Sequence, residues 1–151
     1  MNESETQVRL TGRRLMLVDD EPDFVTSTKV LLETHTGARV ADYTSPAMAL
    51  AALPSVNPEC LITDMVMPGY SGIELIRLVA QQRPDLPCLI LTGNALSPME
   101  IASIQHRQLR DVLFKPISWV DLATAIQKAL APREETATGT EGFYTPVGRW
   151  R

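Results

Sequence analysis

Residues 15–22 read Leu15-Met16-Leu17-Val18-Asp19-Asp20-Glu21-Pro22. Four apolar residues followed at once by three acids and a proline describe a strand buried on both faces that stops at a charged turn. The pattern recurs along the chain. Cys60-Leu61-Ile62-Thr63 runs into Asp64, and Cys88-Leu89-Ile90-Leu91-Thr92 runs into Gly93. Two weaker runs, Arg39–Tyr43 and Val112–Phe114, bring the expected strands to five. Arg39 and Asp42 mark the first of these as an edge strand.

Helical signals fill the gaps. Phe24, Val25, Thr28, Leu31 and Leu32 keep i, i+3/i+4, i+7 spacing behind Pro22 at a first helical turn. Ser45-Pro46 opens an Ala/Met/Leu run to Leu53. Ser71-Gly72-Ile73-Glu74 and Ser97-Pro98-Met99-Glu100 match the Ser-x-x-Glu capping box, and Ser118-Trp119-Val120-Asp121 is a weaker form. Trp119, Leu122, Ala123, Ile126 and Leu130 then form one apolar stripe. The order is βαβαβαβαβα. Strict alternation gives a parallel sheet with helices on both faces and right-handed crossovers. The expected fold is therefore α/β, a doubly wound (βα)5 unit with the flavodoxin-like strand order 2-1-3-4-5. A folded domain is expected over residues 13–131, between a flexible leader (1–12) and a disordered tail (132–151). Phe143, Tyr144 and Trp150 in that tail read as incidental aromatics rather than a docking peptide.

Composition removes several function classes. The chain has 151 residues, 44% hydrophobic and 21% charged, which suits one domain with a packed core. A net charge of −4 leaves no basic footprint for nucleic acid. No apolar run approaches the roughly 20 residues of a membrane span, and the polar start lacks a secretory signal, so a cytoplasmic protein is expected. Cys60 and Cys88 lie inside apolar runs and read as reduced core thiols.

Chemistry is expected where the strands end. Parallel strands share one carboxyl edge, so Asp19-Asp20-Glu21, Asp64, Thr92-Gly93 and Lys115-Pro116 should gather there. Taken singly, an Asp after a strand is a turn or cap residue, a strand Thr is ordinary and a loop Lys is solvated. Four polar strand ends on one edge are hard to explain by packing. Two carboxylates about 4 Å apart repel by roughly 1 kcal/mol in water and roughly 4 kcal/mol at an effective dielectric of 20. Lys115 alone cannot neutralise Asp19, Asp20 and Asp64. An all-oxygen cluster of this kind suits a hard divalent cation, Mg²⁺ above all, which keeps several waters and uses few carboxylates.

At this point the sequence resembles the response-regulator receiver family of two-component signalling, in its stand-alone, chemotaxis-regulator-like form. The resemblance spans about Arg13 to Ala131. It rests on Leu17-Val18-Asp19-Asp20-Glu21-Pro22, Thr63-Asp64-Met65-Val66-Met67-Pro68-Gly69, Leu91-Thr92-Gly93 and Phe114-Lys115-Pro116, four motifs in family order. It implies that Asp64 is the phosphoacceptor, forming an aspartyl phosphate. Asp20, Asp64 and the Val66 backbone carbonyl would hold Mg²⁺, with Asp19 acting through water. Thr92 and Lys115 would contact phosphoryl oxygens, and the Lys115–Pro116 bond would be cis. The donor would be a histidine kinase or a histidine phosphotransfer protein in a phosphorelay. The chain would be no enzyme beyond self-catalysed transfer and autodephosphorylation. With only about twenty residues after the last helix, no output domain is expected, and the signal would pass by protein contact. The face of the fourth helix, fifth strand and fifth helix would meet a downstream protein or a second copy, with no direct contact to nucleic acid or membrane.

Two departures stand out. Many members carry Tyr or Phe three residues before the lysine, where this chain has Val112. Phe114 shares Val112's strand parity and is expected to be a packed core residue. Val66 and Asn94 occupy rim positions that tune water access in relatives, and valine cannot orient an attacking water. The alternative reading is a non-phosphorylated pseudo-receiver acting as a protein-binding module; the complete set of acids, Thr92 and Lys115 speaks against it. A phosphatase with an aspartyl-phosphate intermediate would want a second carboxylate at position 66. A flavin binder would want a phosphate loop where Asp19-Asp20-Glu21 stand.

Overall fold

The computed structural model describes residues 7–132. Five strands alternate with five helices: β1 (Arg14–Val18), α1 (Pro22–Thr36), β2 (Arg39–Tyr43), α2 (Pro46–Val56), β3 (Cys60–Asp64), α3 (Gly72–Gln82), β4 (Cys88–Thr92), α4 (Pro98–Ser103), β5 (Leu109–Phe114) and α5 (Trp119–Leu130). The strands are all parallel, in the order β2-β1-β3-β4-β5. This is the doubly wound α/β fold expected from the alternation.

The apolar runs explain the layers. Every residue of β3 and β4 is buried. Because side chains alternate along a strand, each run feeds two cores. Leu15, Leu17, Cys60, Ile62, Leu89, Leu91 and Leu113 pack on one face with Val25 and Leu32 of α1 and Leu122 and Ile126 of α5. Met16, Val18, Leu61, Cys88, Ile90 and Val112 pack on the other with Leu53 of α2 and Leu75, Ile76 and Val79 of α3. Both thiols are free and buried, and burial pushes the Cys60 thiol up to about 12. Among the described residues, no helix is long and apolar enough to cross a membrane.

The helix starts follow their caps. Ser45, Ser71 and Ser118 accept from the N–H groups of Met48, Glu74 and Asp121. Ser71 and Ser97 close full capping boxes: each hydroxyl accepts from the N–H of Glu74 or Glu100, and each serine N–H donates to that glutamate's carboxylate. Gly37 ends α1 with φ at 79°, a left-handed position that costs glycine little. Helix α2 runs past Leu53 and through Pro54 to Val56, because Val56 still packs on the core. Strand β5 begins three residues earlier than expected. Leu109 pairs with Cys88 and Asp111 with Leu89, so Arg110 is an extra residue at a bulge that breaks the apolar pattern.

Two expectations need correction. Residues 1–12 are not wholly a flexible leader, since Val8 and Leu10 are buried in the α1/α5-side core. The N–H of Leu10 donates to Thr36 O, and that of Gly12 to Gly37 O. The polar neighbours of these two residues hide them in the sequence. Phe114 is not packed in the core; it is 38% exposed, because it is the last residue of β5, while Val112 is fully buried. The expected tail, with Phe143, Tyr144 and Trp150, lies outside the described residues.

The edge strand is guarded. A β-edge offers unpaired N–H and C=O groups to other chains. At Val40 both are occupied by α1: the N–H donates to Glu33 Oε2 at 3.0 Å, and Lys29 Nζ donates to the carbonyl at 2.5 Å. Lys29 and Glu33 also pair with each other at 3.2 Å. The Val40 N–H, ahead of Lys29, holds the Glu33 carboxyl below its ordinary value of 4.5 against the opposing effect of burial. A lowered carboxyl pKa contributes stability above the unfolded value, lost as pH falls through the folded one. We therefore expect Glu33→Gln to cost about 1 kcal/mol at pH 7. The cost should shrink below about pH 4.5, as read by urea unfolding at both pH values.

Candidate functional site

Strand register sets the site. Val18 is level with Thr63, Asp64 with Leu91, and Thr92 with Phe114. The residues that end β1, β3, β4 and β5 therefore meet at one rim. Asp19 follows β1 and is 1% exposed. Its Oδ1 accepts from the Glu21 N–H at 2.9 Å, which shapes the turn into α1. Its Oδ2 accepts from Lys115 Nζ at 2.5 Å. Asp64 closes β3, and its Oδ1 accepts from the Met65 N–H at 2.8 Å. A carboxylate oxygen from each of Asp19, Asp20 and Asp64 lies within 4.8 Å of the others.

Lys115 enters from beyond β5, its side chain 15% exposed. The peptide bond to Pro116 is cis, as expected. The ammonium lies 3.8 Å from Asp64 Oδ2 and 3.9 Å from Glu21 Oε1, besides its bond to Asp19. It also sits over the Phe24 ring of α1, 4.2 Å from the centroid. Thr92 is fully buried. Its carbonyl accepts from the Lys115 N–H at 2.8 Å, and its Oγ1 accepts from the Asn94 N–H at 3.2 Å. A hydroxyl accepts and donates at once, so Thr92 keeps a proton to give. Val66 stands two residues past Asp64 on the β3–α3 loop and is 59% exposed.

One ammonium faces three carboxylates, and Asp20 brings a fourth beside Asp19 and Asp64. Desolvation, then the charge of Asp19, raises the Asp64 carboxyl above its ordinary value; Lys115 and the Met65 N–H oppose this, and Asp20 adds to it. The shortage of positive charge fits a divalent cation. Three carboxylates are hard oxygen donors of the kind Mg²⁺ takes, and the mixture of buried and accessible ligands leaves room for water.

Asp19, Asp20, Asp64 and Lys115 come together as the sequence suggests, and Thr92 joins through the Lys115 backbone. Glu21, expected at this edge as the end of the acidic run, reaches Lys115 as well. Two neighbours escaped sequence reasoning. Phe24 read as part of the α1 core stripe. Gly72 looked like a passenger inside a capping box. A Cβ at Gly72 would lie 2.3 Å from Asp64 O and 3.1 Å from Met65 Cα, while the Gly72 N–H donates to Met65 O at 2.8 Å. Glycine lets α3 start against the very backbone that carries Asp64.

Comparison with known proteins identifies the family and the fold. The sequence model described as "Response regulator receiver domain" matches residues 15–127. The response regulator receiver protein CpdR of Brucella abortus is 33% identical over 118 residues, covering 78% of this chain and 97% of CpdR. The transcriptional regulatory protein FixJ of Bradyrhizobium diazoefficiens is 29% identical over 127 residues, 84% of this chain and 61% of FixJ. The chain spans about a quarter to three fifths of the length of several such transcriptional regulators. A receiver-domain crystal structure from Clostridium thermocellum superposes with a TM-score of 0.70 at 28% identity, covering 78% of this chain and 94% of that one.

Two substitutions test the geometry. Gly72→Ala should destabilise the fold by about 2–3 kcal/mol in chemical denaturation, since the clash is with backbone and cannot be relieved by a rotamer. Asp64→Asn should do the reverse. A raised carboxyl pKa means the charged form burdens the fold above the folded pKa, and the burden disappears below the unfolded one. Without divalent ions we expect Asp64→Asn to gain about 1 kcal/mol at pH 7. The gain should close as pH falls below about 3.8, as followed by thermal melts across pH.

Proposed function

Because the chain belongs to the response-regulator receiver family, we propose that it is a phosphorylation switch in which Asp64 takes a phosphoryl group in a Mg²⁺-dependent reaction. The observation that carries this is the buried Asp64 carboxylate, which shares one rim with Asp19 and Asp20 and has the Lys115 ammonium 3.8 Å away.

Asp20, Asp64 and the Val66 carbonyl are the groups that would hold Mg²⁺, with Asp19 behind them. When bound, the ion supplies neutralisation of charge on the phosphoryl oxygens. The chain's own residues do the rest. An Asp64 oxygen attacks phosphorus, the new O–P bond forms as the P–N bond to the donor histidine breaks, and the departing imidazole takes a proton from solvent. Lys115 exchanges its bond to Asp19 for one to a phosphoryl oxygen, a short move because Asp64 is already close. Thr92 gives its hydroxyl proton to another phosphoryl oxygen. Such catalysis is mostly positioning and charge compensation. Water attack on the acyl phosphate reverses the switch. Val66 offers that water no hydrogen bond, which favours a slow reversal.

The donor in this reading is a histidine kinase or a histidine phosphotransfer protein, and the output is a protein contact. Met99 of α4, Phe114 of β5 and Val120 of α5 are 82%, 38% and 37% exposed. Apolar surface on these three elements supports an output partner, or a second copy, at that face.

The test is intact mass after incubation with Mg²⁺ and a small phosphodonor such as acetyl phosphate. One added phosphoryl group is expected on the parent. None is expected on Asp64→Asn, or on the parent after chelation. A parent that stays unmodified under conditions that label an ordinary receiver would sink the proposal.

A further inference from the structure

Lys115 faces an asymmetric set of partners. Asp19 holds the ammonium at 2.5 Å, Asp64 lies at 3.8 Å and Glu21 at 3.9 Å. Left to charge alone, the ammonium belongs to Asp19, which is almost wholly buried and cannot trade it for water. Yet the reaction needs it on a phosphoryl oxygen at Asp64. The fourth partner is of another kind. The Phe24 ring stands 4.2 Å from the ammonium and is itself packed against the α1/α5-side core. A ring face attracts a cation through its quadrupole, with no proton to exchange and little dependence on which carboxylate the cation also touches.

We infer that Phe24 is a positioning residue for Lys115, a fixed aromatic floor over which the ammonium moves from Asp19 to the phosphoryl group on Asp64. The inference rests on the reading of Asp64 as phosphoacceptor. Its physical content is orientation: the ring helps hold the ammonium where both Asp19, at 2.5 Å, and Asp64, at 3.8 Å, are within reach, so the exchange is a short move rather than a search. An aliphatic residue of similar bulk fills the same space and gives no such hold. Leucine would leave the core layer packed and Lys115 tied to Asp19; tyrosine would restore the floor.

The experiment uses the full chain and three proteins: the parent, Phe24→Leu and Phe24→Tyr. Phosphorylation by acetyl phosphate at saturating Mg²⁺ is timed by intact mass, the Mg²⁺ dissociation constant is measured separately, and melting temperatures are recorded without Mg²⁺. We expect Phe24→Leu to label about 3- to 10-fold more slowly. Phe24→Tyr should stay within about twofold of the parent, a rescue that mere loss of core volume would not predict. The Lys115 methylene protons next to the ammonium should carry an upfield ring-current shift in the NMR spectrum of the parent and of Phe24→Tyr, lost in Phe24→Leu. A Phe24→Leu protein that labels at the parent's rate overturns the inference, and so does a Phe24→Tyr protein as slow as Phe24→Leu. Loss of rate that tracks lowered melting temperature across both variants overturns it too. A parent that never labels sinks the reading of Asp64 instead, and this inference with it.

Discussion

The structure turns on a shortage of positive charge at one rim of the sheet. Asp19, Glu21 and Asp64 crowd around a single ammonium, Asp20 adds a fourth carboxylate beside Asp19 and Asp64, and Asp19 and Asp64 are almost fully buried. Like charges at such distances cost kilocalories once water is thinned out. The fold holds them together only because the strands behind them are anchored far from the rim. Leu15, Leu17, Cys60, Ile62, Leu89 and Leu91 lock one face, and Met16, Leu61, Cys88 and Ile90 the other. The stable core and the strained rim are two ends of the same strands. This is why neutralising Asp64 and disturbing Gly72 are expected to push stability in opposite directions. One relieves the charge, and the other shifts the backbone on which the charge is mounted.

Register converts that strain into a site. In a parallel sheet a displacement of one residue would turn Asp64 to the other face and break its approach to Asp19. The pairing of Val18 with Thr63 and of Asp64 with Leu91 fixes the strands at the level where the acids converge. The free edge at β2 is closed by Lys29 and Glu33 on Val40. That clamp keeps the order β2-β1-β3-β4-β5 from gaining a sixth strand from another molecule at this point. The site and the edge guard share a principle, since in each a charged side chain satisfies a group that its own strand leaves unpaired.

The fold was legible because its signals are local. Runs such as Cys60-Leu61-Ile62-Thr63, and serines placed three residues ahead of Glu or Asp, carry their meaning in adjacent letters. The acids, Thr92 and Lys115 were legible for a different reason: each ends an apolar run, and topology puts such ends on one edge. What escaped was contact between distant residues. Nothing near Val8 or Leu10 announces burial, and nothing near Lys29 and Glu33 points to Val40. Phe24 fits an apolar helical stripe well enough to conceal that its ring faces Lys115. Gly72 sits inside a capping box that already explains its neighbours. In each case the local reading was true, and incomplete because a residue can serve packing and the site at once.

Val112 shows what the same geometry implies for signalling. It is fully buried between Ile90 and its neighbours in the α2/α3-side core, and a branched aliphatic side chain has no second position to swing into. A signal carried by an aromatic ring swinging at this position would therefore be closed to this chain. The backbone offers another connection. Thr92 O accepts from the Lys115 N–H, and Thr92 is level with Phe114 across β4 and β5. Two residues that would contact a phosphoryl group are thus tied to each other and to the end of β5. In the proposed switch, a shift of Thr92 toward Asp64 would pull on the segment that carries Phe114, which is 38% exposed. Moving a surface aromatic with its backbone needs no void in a close-packed interior, whereas moving Val112 would.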